Sequence, residues 1–321
     1  MGDLTARSGL MAGWLRVAWR LQRWELAFVA AACAGLAAAA GLLAVDMRSV
    51  LAACDPAAAD AVACTSPYRF QDSHGSAVSL LTMLATVLPF GIGLVLGVPM
   101  VAREVEHRTA HLSWALAGSR LRWLAWRAAP VAVVALLLVS LPAVAVDQML
   151  RARWANSDLG LLEFGAHGVP LVTRTGLALG MGLLIGALIG RLLPALLVGI
   201  GLSVAASVGL DLLAPLWMPA EPLPAVVQGD ERLGARWRYS VYRAPDGAWI
   251  SEREARALEE AAHVRAGSAE PDPASLPEEV GYGTPSHRYP DVVVRESAAL
   301  AVAALGLMGA AGLLVHRRRP G

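Results

Sequence analysis

Lysine is absent from this chain, and every basic side chain is Arg or His. Its absence excludes the phosphate-gripping lysine of a P-loop, Schiff-base chemistry and any Ser-Lys catalytic pair. Charge of either sign is scarce as well: 17% of residues are charged against 56% hydrophobic, with a net charge of +1 and a mean hydropathy of +0.52. That is too apolar for an ordinary soluble domain and points to the membrane. Ser, His and Asp are scattered without a G-x-S-x-G elbow or any other nucleophile signature. The string HRTAH sets His107 and His111 four apart on one helical face, as in the zinc motif H-E-x-x-H, but Arg108 stands where that motif has its glutamate. An arginine-rich loop supplies neither a general base nor a third ligand. No catalytic residue, metal site or nucleic-acid partner is expected.

Long apolar runs are what the chain has in abundance. A hydrocarbon core of about 30 Å takes about 20 residues of helix, because no backbone polar group is left unpaired in lipid. Six segments qualify, at 26–46, 79–101, 129–147, 171–190, 193–213 and 297–315. The first is too long and Ala-rich for a cleaved signal peptide, and it reads as a span. The fold expected is an all-α membrane protein of six transmembrane helices. Residues 1–25 form a cytoplasmic N-terminus, in which Trp14, Val17 or Ala18, and Leu21 recur at the spacing of an interfacial helix. Residues 26–215 hold spans one to five, residues 216–296 an extracytoplasmic insert, and residues 297–321 the sixth span with a basic tail.

Arginines set the orientation. Arg7, Arg16, Arg20 and Arg23 precede span one, and Arg103, Arg108, Arg120, Arg122 and Arg127 lie between spans two and three. Arg191 marks a tight turn between spans four and five, and Arg317, Arg318 and Arg319 end the chain. The positive-inside rule puts all four regions, and both termini, in the cytoplasm. Asp46, Asp147 and Asp211 sit at the other ends of their spans and read as solvated helix ends rather than an ion path. Arg174, near the outer end of span four, is placed to reach the headgroups. Pro89, Pro99 and Pro142 supply bends, and Gly91, Gly93 and Gly97 allow close helix approach or motion.

Outside the bilayer, Cys54 and Cys64 flank DPAAADAVA in a loop facing an oxidising space, where a disulfide is plausible if geometry permits; Cys33 reads as a packing residue. The insert carries nine arginines against fourteen acidic residues. Within it, a hairpin turning at APDG precedes a helix opened by the capping pair Ser251 and Glu254 and stopped by Gly267. The stretch AEPDPASLPEE reads as an irregular connector. Between spans two and three, Arg103, Glu104, Glu106, His107, Arg108 and Thr109 either seat in a cytoplasmic partner, with Leu112 and Trp114 as apolar anchors, or merely enforce topology; composition does not choose.

A resemblance does choose. WRLQRWELA at 19–27 is similar to the opening W-R-x-x-R-W-E-L pattern of the permease subunits of ABC-2 type exporters from the high-GC Gram-positive branch. GVPMVAREVEHRTAHLSWALAGSRLRWL resembles the segment of that family carrying A-R-E-x-E-x-G-T, matching at Arg103, Glu104, Glu106, Thr109, Leu112, Trp114, Arg120, Arg122 and Trp123. Arg191, Leu193, Pro194 and Ala195 resemble its R-x-L-P-A turn, and YGTPSHRYPDVVVRE its run before the last span. The chain departs at Arg108, where the family has glycine, and at Tyr289 and Pro290. The resemblance implies a bacterial cell-membrane exporter subunit that binds no cofactor itself. ATP and Mg would sit on a separate ABC ATPase, a second permease subunit, an identical copy, would complete the pore, and residues 102–114 would be the coupling helix. A membrane-anchored sensor using the insert and a secondary transporter remain the alternatives.

Overall fold

The computed structural model describes residues 2–53, 70–107, 119–154, 161, 163–223, 235–267 and 271–317. Cys54, Cys64, Arg108, Thr109, His111, Leu112 and Trp114 therefore lie outside the described residues, and with them the disulfide. The chain divides into two compact units, one comprising Met1–Arg153, Glu163–Leu212 and Val293–Gly321, the other Trp154–Leu162 and Leu213–Val292.

The first unit is helical. Its elements are α1 (Gly2–Ala52), α2 (Gln71–Ile92), a π-helical turn (Gly93–Gly97), α3 (Val98–Glu106), α4 (Arg120–Arg153), α5 (Gly168–Ile189), α6 (Leu192–Leu213) and most of α8 (Tyr289–Arg317). Among the described residues, six helical segments, α2 to α3 counting as one, are long and apolar enough to cross a membrane. All six start before the predicted apolar stretches, and four also run past their ends, because helix formation continues into flanking residues that hydropathy excludes. The i,i+4 pair Asp147–Arg151, with 2.8 Å between Asp147 Oδ2 and Arg151 Nε, supports one such extension. The last helix begins at Tyr289, so residues 289–296, read from sequence as insert, are helical. The sequence reads as an interfacial helix in residues 1–25 followed by a first span from residue 26. The backbone instead runs through both as one helix, and no Gly or Pro between Trp14 and Ala34 interrupts it.

Helix α5 is central: 61% of its apolar window is buried, against 11% for α6. The core joins Val29 and Cys33 of α1, Leu96 of the π turn, Met100 and Val101 of α3, Trp123 and Val131 of α4, Leu179 and Leu183 of α5, and Val315 of α8. Where the π turn crosses α5, glycine faces glycine. A Cβ on Gly93 would lie 2.4 Å from the Ala178 carbonyl, and one on Gly182 2.2 Å from the Gly93 oxygen. Packing at backbone distance therefore accounts for Gly93 and Gly97, whereas a Cβ on Gly91 would meet nothing within 4 Å. Pro99 lacks an N–H and crowds the carbonyl four residues back, which the wider π turn just before it accommodates.

The second unit holds an antiparallel sheet of order β1-β4-β2-β3, from β1 (Glu221–Pro222), β2 (Arg236–Arg243), β3 (Trp249–Ile250) and β4 (Glu278–Thr284), with α7 (Glu252–Ala266) after β3. The all-α expectation thus holds for the spans and not for this unit. The turn at APDG closes as expected: Ala244 N–H donates to the Ala248 carbonyl at 2.8 Å, and Gly247 adopts φ 86°. Ser251 and Glu254 form the full capping box, and Gly267 ends α7 at φ 64°. The connector expected to be irregular contains a turn of 3-10 helix (Pro273–Ser275) and leads straight into β4, because Glu278–Thr284 pairs with β2 along its length.

Candidate functional site

Polar contacts gather at the two ends of the helical unit and at one point inside it. At the first end lies α3, the segment that the sequence singles out. Arg103 pairs with Glu25 of α1, and Glu104 pairs with Arg127 of α4, whose guanidinium also lies 5.7 Å from the centroid of the buried Trp123 ring. Glu106 Oε2 accepts from the Leu192 backbone N–H of α6 at 2.9 Å, placing a carboxylate at a helix N-terminus where unsatisfied N–H groups and the dipole favour it. About one turn of α3 thereby engages three other helices. Beside it, Arg120 Nη1 donates to the His316 carbonyl at 2.9 Å and ties α4 to the end of α8.

Arg103, Glu104 and Glu106, expected from the sequence as residues presented to a partner, each also make a contact within the chain. Glu104 is the clearest case, with a side chain only 12% exposed. His107, directly after α3, is exposed. The charges are there because several helix ends must be held together in a short distance, a demand that sequence spacing does not display.

At the opposite end, Asp46 of α1 meets His74 of α2 at 2.7 Å, Arg48 of α1 donates to Gln148 of α4, and Asp147 of α4 meets the buried His167 at 3.1 Å. Asp46 and Asp147 are thus not merely solvated helix ends; they join neighbouring helices.

Inside the unit, Arg174 of α5 and Glu296 of α8 form an ion pair about two turns in from the start of each helix. Arg174 Nε and Nη2 both reach Glu296 Oε1, at 3.0 and 2.9 Å. Arg174 is 7% exposed and Glu296 0%. The guanidinium also lies 5.9 Å from the Phe164 centroid, and Gly165, at φ 96°, leaves room for it, since a Cβ there would fall 2.0 Å from Nη1. Glu296 Oε2 is buried with no hydrogen-bond partner among the described residues. Arg174 therefore turns inward rather than to the headgroups. Sequence reading missed Glu296, whose only signal was an acidic residue beside the apolar run SAALAVAA.

Among the described residues no group of three or more His, Cys, Asp or Glu is arranged to hold a metal. The contacts described above join helices to one another. Residues 26–214, which include five of the six apolar helices apart from flanking turns, match the family described as ABC-2 membrane transporter related. No curated protein and no solved structure matches the chain.

Proposed function

The chain belongs to the ABC-2 membrane transporter related family, and on that basis we propose that it is the permease subunit of an ATP-driven exporter whose ATPase is a separate polypeptide. It is a multi-pass transmembrane transporter component. The reading adds that a second copy completes the pore, that both termini and the segment after α3 are cytoplasmic, and that the second unit and the Cys54–Cys64 loop face outward. It also places the chain in the high-GC Gram-positive branch, on the strings W-R-x-x-R-W-E-L and A-R-E-x-E. Cargo is left open, because an apolar pore suits a lipid, a peptide or a drug alike.

One observation carries the coupling: α3 is linked to α1, α4 and α6 through Glu25, Arg127 and the Leu192 N–H. A partner that grips residues 107–114 pulls on α3, and α3 moves three helices together. ATP binding on the partner drives that motion only by favouring one conformation of the pore over the other.

Co-expression with a candidate ABC ATPase followed by pull-down tests the reading. Substitutions belong at His107 and Thr109, since Glu104 and Glu106 have structural duties. The expected result is copurification that His107→Glu with Thr109→Arg weakens severalfold while membrane insertion is unchanged. Unaltered copurification and transport in that variant would remove the coupling role.

A secondary transporter is the second reading, favoured by the ionisable pair Arg174–Glu296 within apolar helices. It requires transport by the chain alone, driven by an ion gradient; the exporter reading requires ATP and a partner.

A further inference from the structure

Between α1 and α2 runs an apolar groove of about 440 Å³, open along one side. Phe28, Gly35 and Ala39 line it from α1, and Leu84, Gly91 and Val95 from α2 and the π turn. Its α1 wall extends from Phe28 to Ala39, about 16 Å at 1.5 Å per residue. Its other wall, from Leu81 to Val95, is about 21 Å long, so the groove covers roughly half to two thirds of a 30 Å hydrocarbon core. The groove owes its width to glycine: a Cβ on Gly35 or Gly91 would meet nothing within 4 Å, in contrast to the tightly packed Gly93 two residues further on. Glycine is a poor interior residue for a helix, and no packing among the described residues accounts for these two.

The wall continues toward the start of α1 at helical spacing. Ala32 and Phe28 are followed by Trp24, 74% exposed, and then by the exposed Arg20. Arg23 lies beside them with its guanidinium 5.2 Å from the Trp24 centroid. The neighbouring acidic side chain, Glu25, is paired with Arg103. The groove thus ends at an interfacial tryptophan and two arginines.

We propose that the groove is a binding site for an anionic glycerophospholipid, one acyl chain lying between α1 and α2 and the phosphate meeting Arg20 and Arg23. Three features select this occupant over a helix of a second copy. The groove stops short of the full hydrocarbon core, which suits one acyl chain better than a helix that traverses it. The rim is cationic, and guanidinium forks match phosphate oxygens in pairs. Tryptophan belongs at the headgroup level. The site lies in whichever leaflet faces the start of α1; that this is the inner one, where anionic lipids concentrate, rests on the proposed orientation, but the site itself does not.

The test uses the full-length chain in nanodiscs of phosphatidylcholine with a minority of phosphatidylglycerol. Lipid retained after release into mild detergent is read by native mass spectrometry. One phosphatidylglycerol per chain is expected to remain on the native protein. Arg20→Gln with Arg23→Gln is expected to reduce the preference for phosphatidylglycerol over phosphatidylcholine about tenfold, the order of effect of two basic residues at an anionic surface. Gly35→Leu with Gly91→Leu fills the groove and is expected to abolish retention of both lipids. Unchanged retention in the filled variant would overturn the proposal, as would unchanged preference in the arginine variant. A second measurement keeps the test independent of how the variants fold. Phosphatidylglycerol with a photoreactive acyl chain, applied to the native protein, is expected to label residues 28–39 and 81–95; labelling elsewhere, or an Ala32→Cys chain that forms disulfide dimers through this face, would count against the site. These readouts require neither cargo nor ATPase, so they stand or fall separately from the exporter reading.

Discussion

Arg174 and Glu296 form an ion pair whose side chains are 9% and 0% exposed, and their pairing is what makes that burial tolerable. Removing one partner of a buried pair leaves the other charge uncompensated, at a cost of about 3–5 kcal/mol, whereas replacing both by apolar groups is far less damaging. Arg174→Met and Glu296→Leu are therefore each expected to lower thermal stability sharply, and the double variant is expected to recover much of the loss. Strict additivity in a double-mutant cycle would show that the two groups do not depend on each other. Glu254 presents the opposite case, an exposed carboxylate held by hydrogen bonds. The backbone N–H and hydroxyl of Ser251 donate to it, chiefly the backbone, and hold its pKa below the ordinary glutamate value. Because the folded value is the lower one, the stabilisation is present above the unfolded pKa of about 4.3 and fades as pH falls through the lowered folded value. Amide exchange in α7, corrected for intrinsic rates, is expected to accelerate on acidification in the native chain. Glu254→Gln should lose that acid-side response.

Among the elements, the π turn and α3 show how local chemistry sets a crossing. Pro89 and Pro99 were legible as bends, and the three glycines as sites of close approach. Which glycine does what was not legible, because a glycine in an apolar run looks the same whether a backbone or a groove lies opposite. Opposite Gly93 lies α5 at backbone distance; opposite Gly91 lies open space. Gly182→Leu forces side-chain atoms into the Gly93 carbonyl and is expected to cost at least the 1–3 kcal/mol typical of overpacking, seen as a large drop in folded yield. Gly91→Ala is expected to be neutral or to stabilise by about 0.5–1 kcal/mol, as glycine replacement in an unobstructed helix does. Equal thermal stability of these two variants would contradict the packing described.

On the scale of the whole molecule, the spans were legible and the contacts between them were not. Hydropathy is a local property, so six apolar windows announce six helices. The pairs that hold helix ends together join residues 78 apart at Glu25 and Arg103, and 196 apart at Arg120 and His316, and no spacing rule reaches across such distances. The motif around Arg103, Glu104 and Glu106 was thus conspicuous in the sequence while its internal role stayed hidden. If Glu104 serves the fold through Arg127, Glu104→Arg should lose roughly 3–5 kcal/mol of stability and Arg127→Glu should restore much of it in the same chain. A residue serving only a partner would show neither effect in melting experiments on the isolated protein.

The central claim is that motion enters through the segment just after α3. The most direct measurement places a photocrosslinking amino acid at His107 in cells that co-express a candidate ATPase. The expected result is an ATPase adduct formed upon illumination, together with protection of that position from membrane-impermeant reagents added outside the cell. Labelling of position 107 from outside, with no ATPase adduct, would contradict the account.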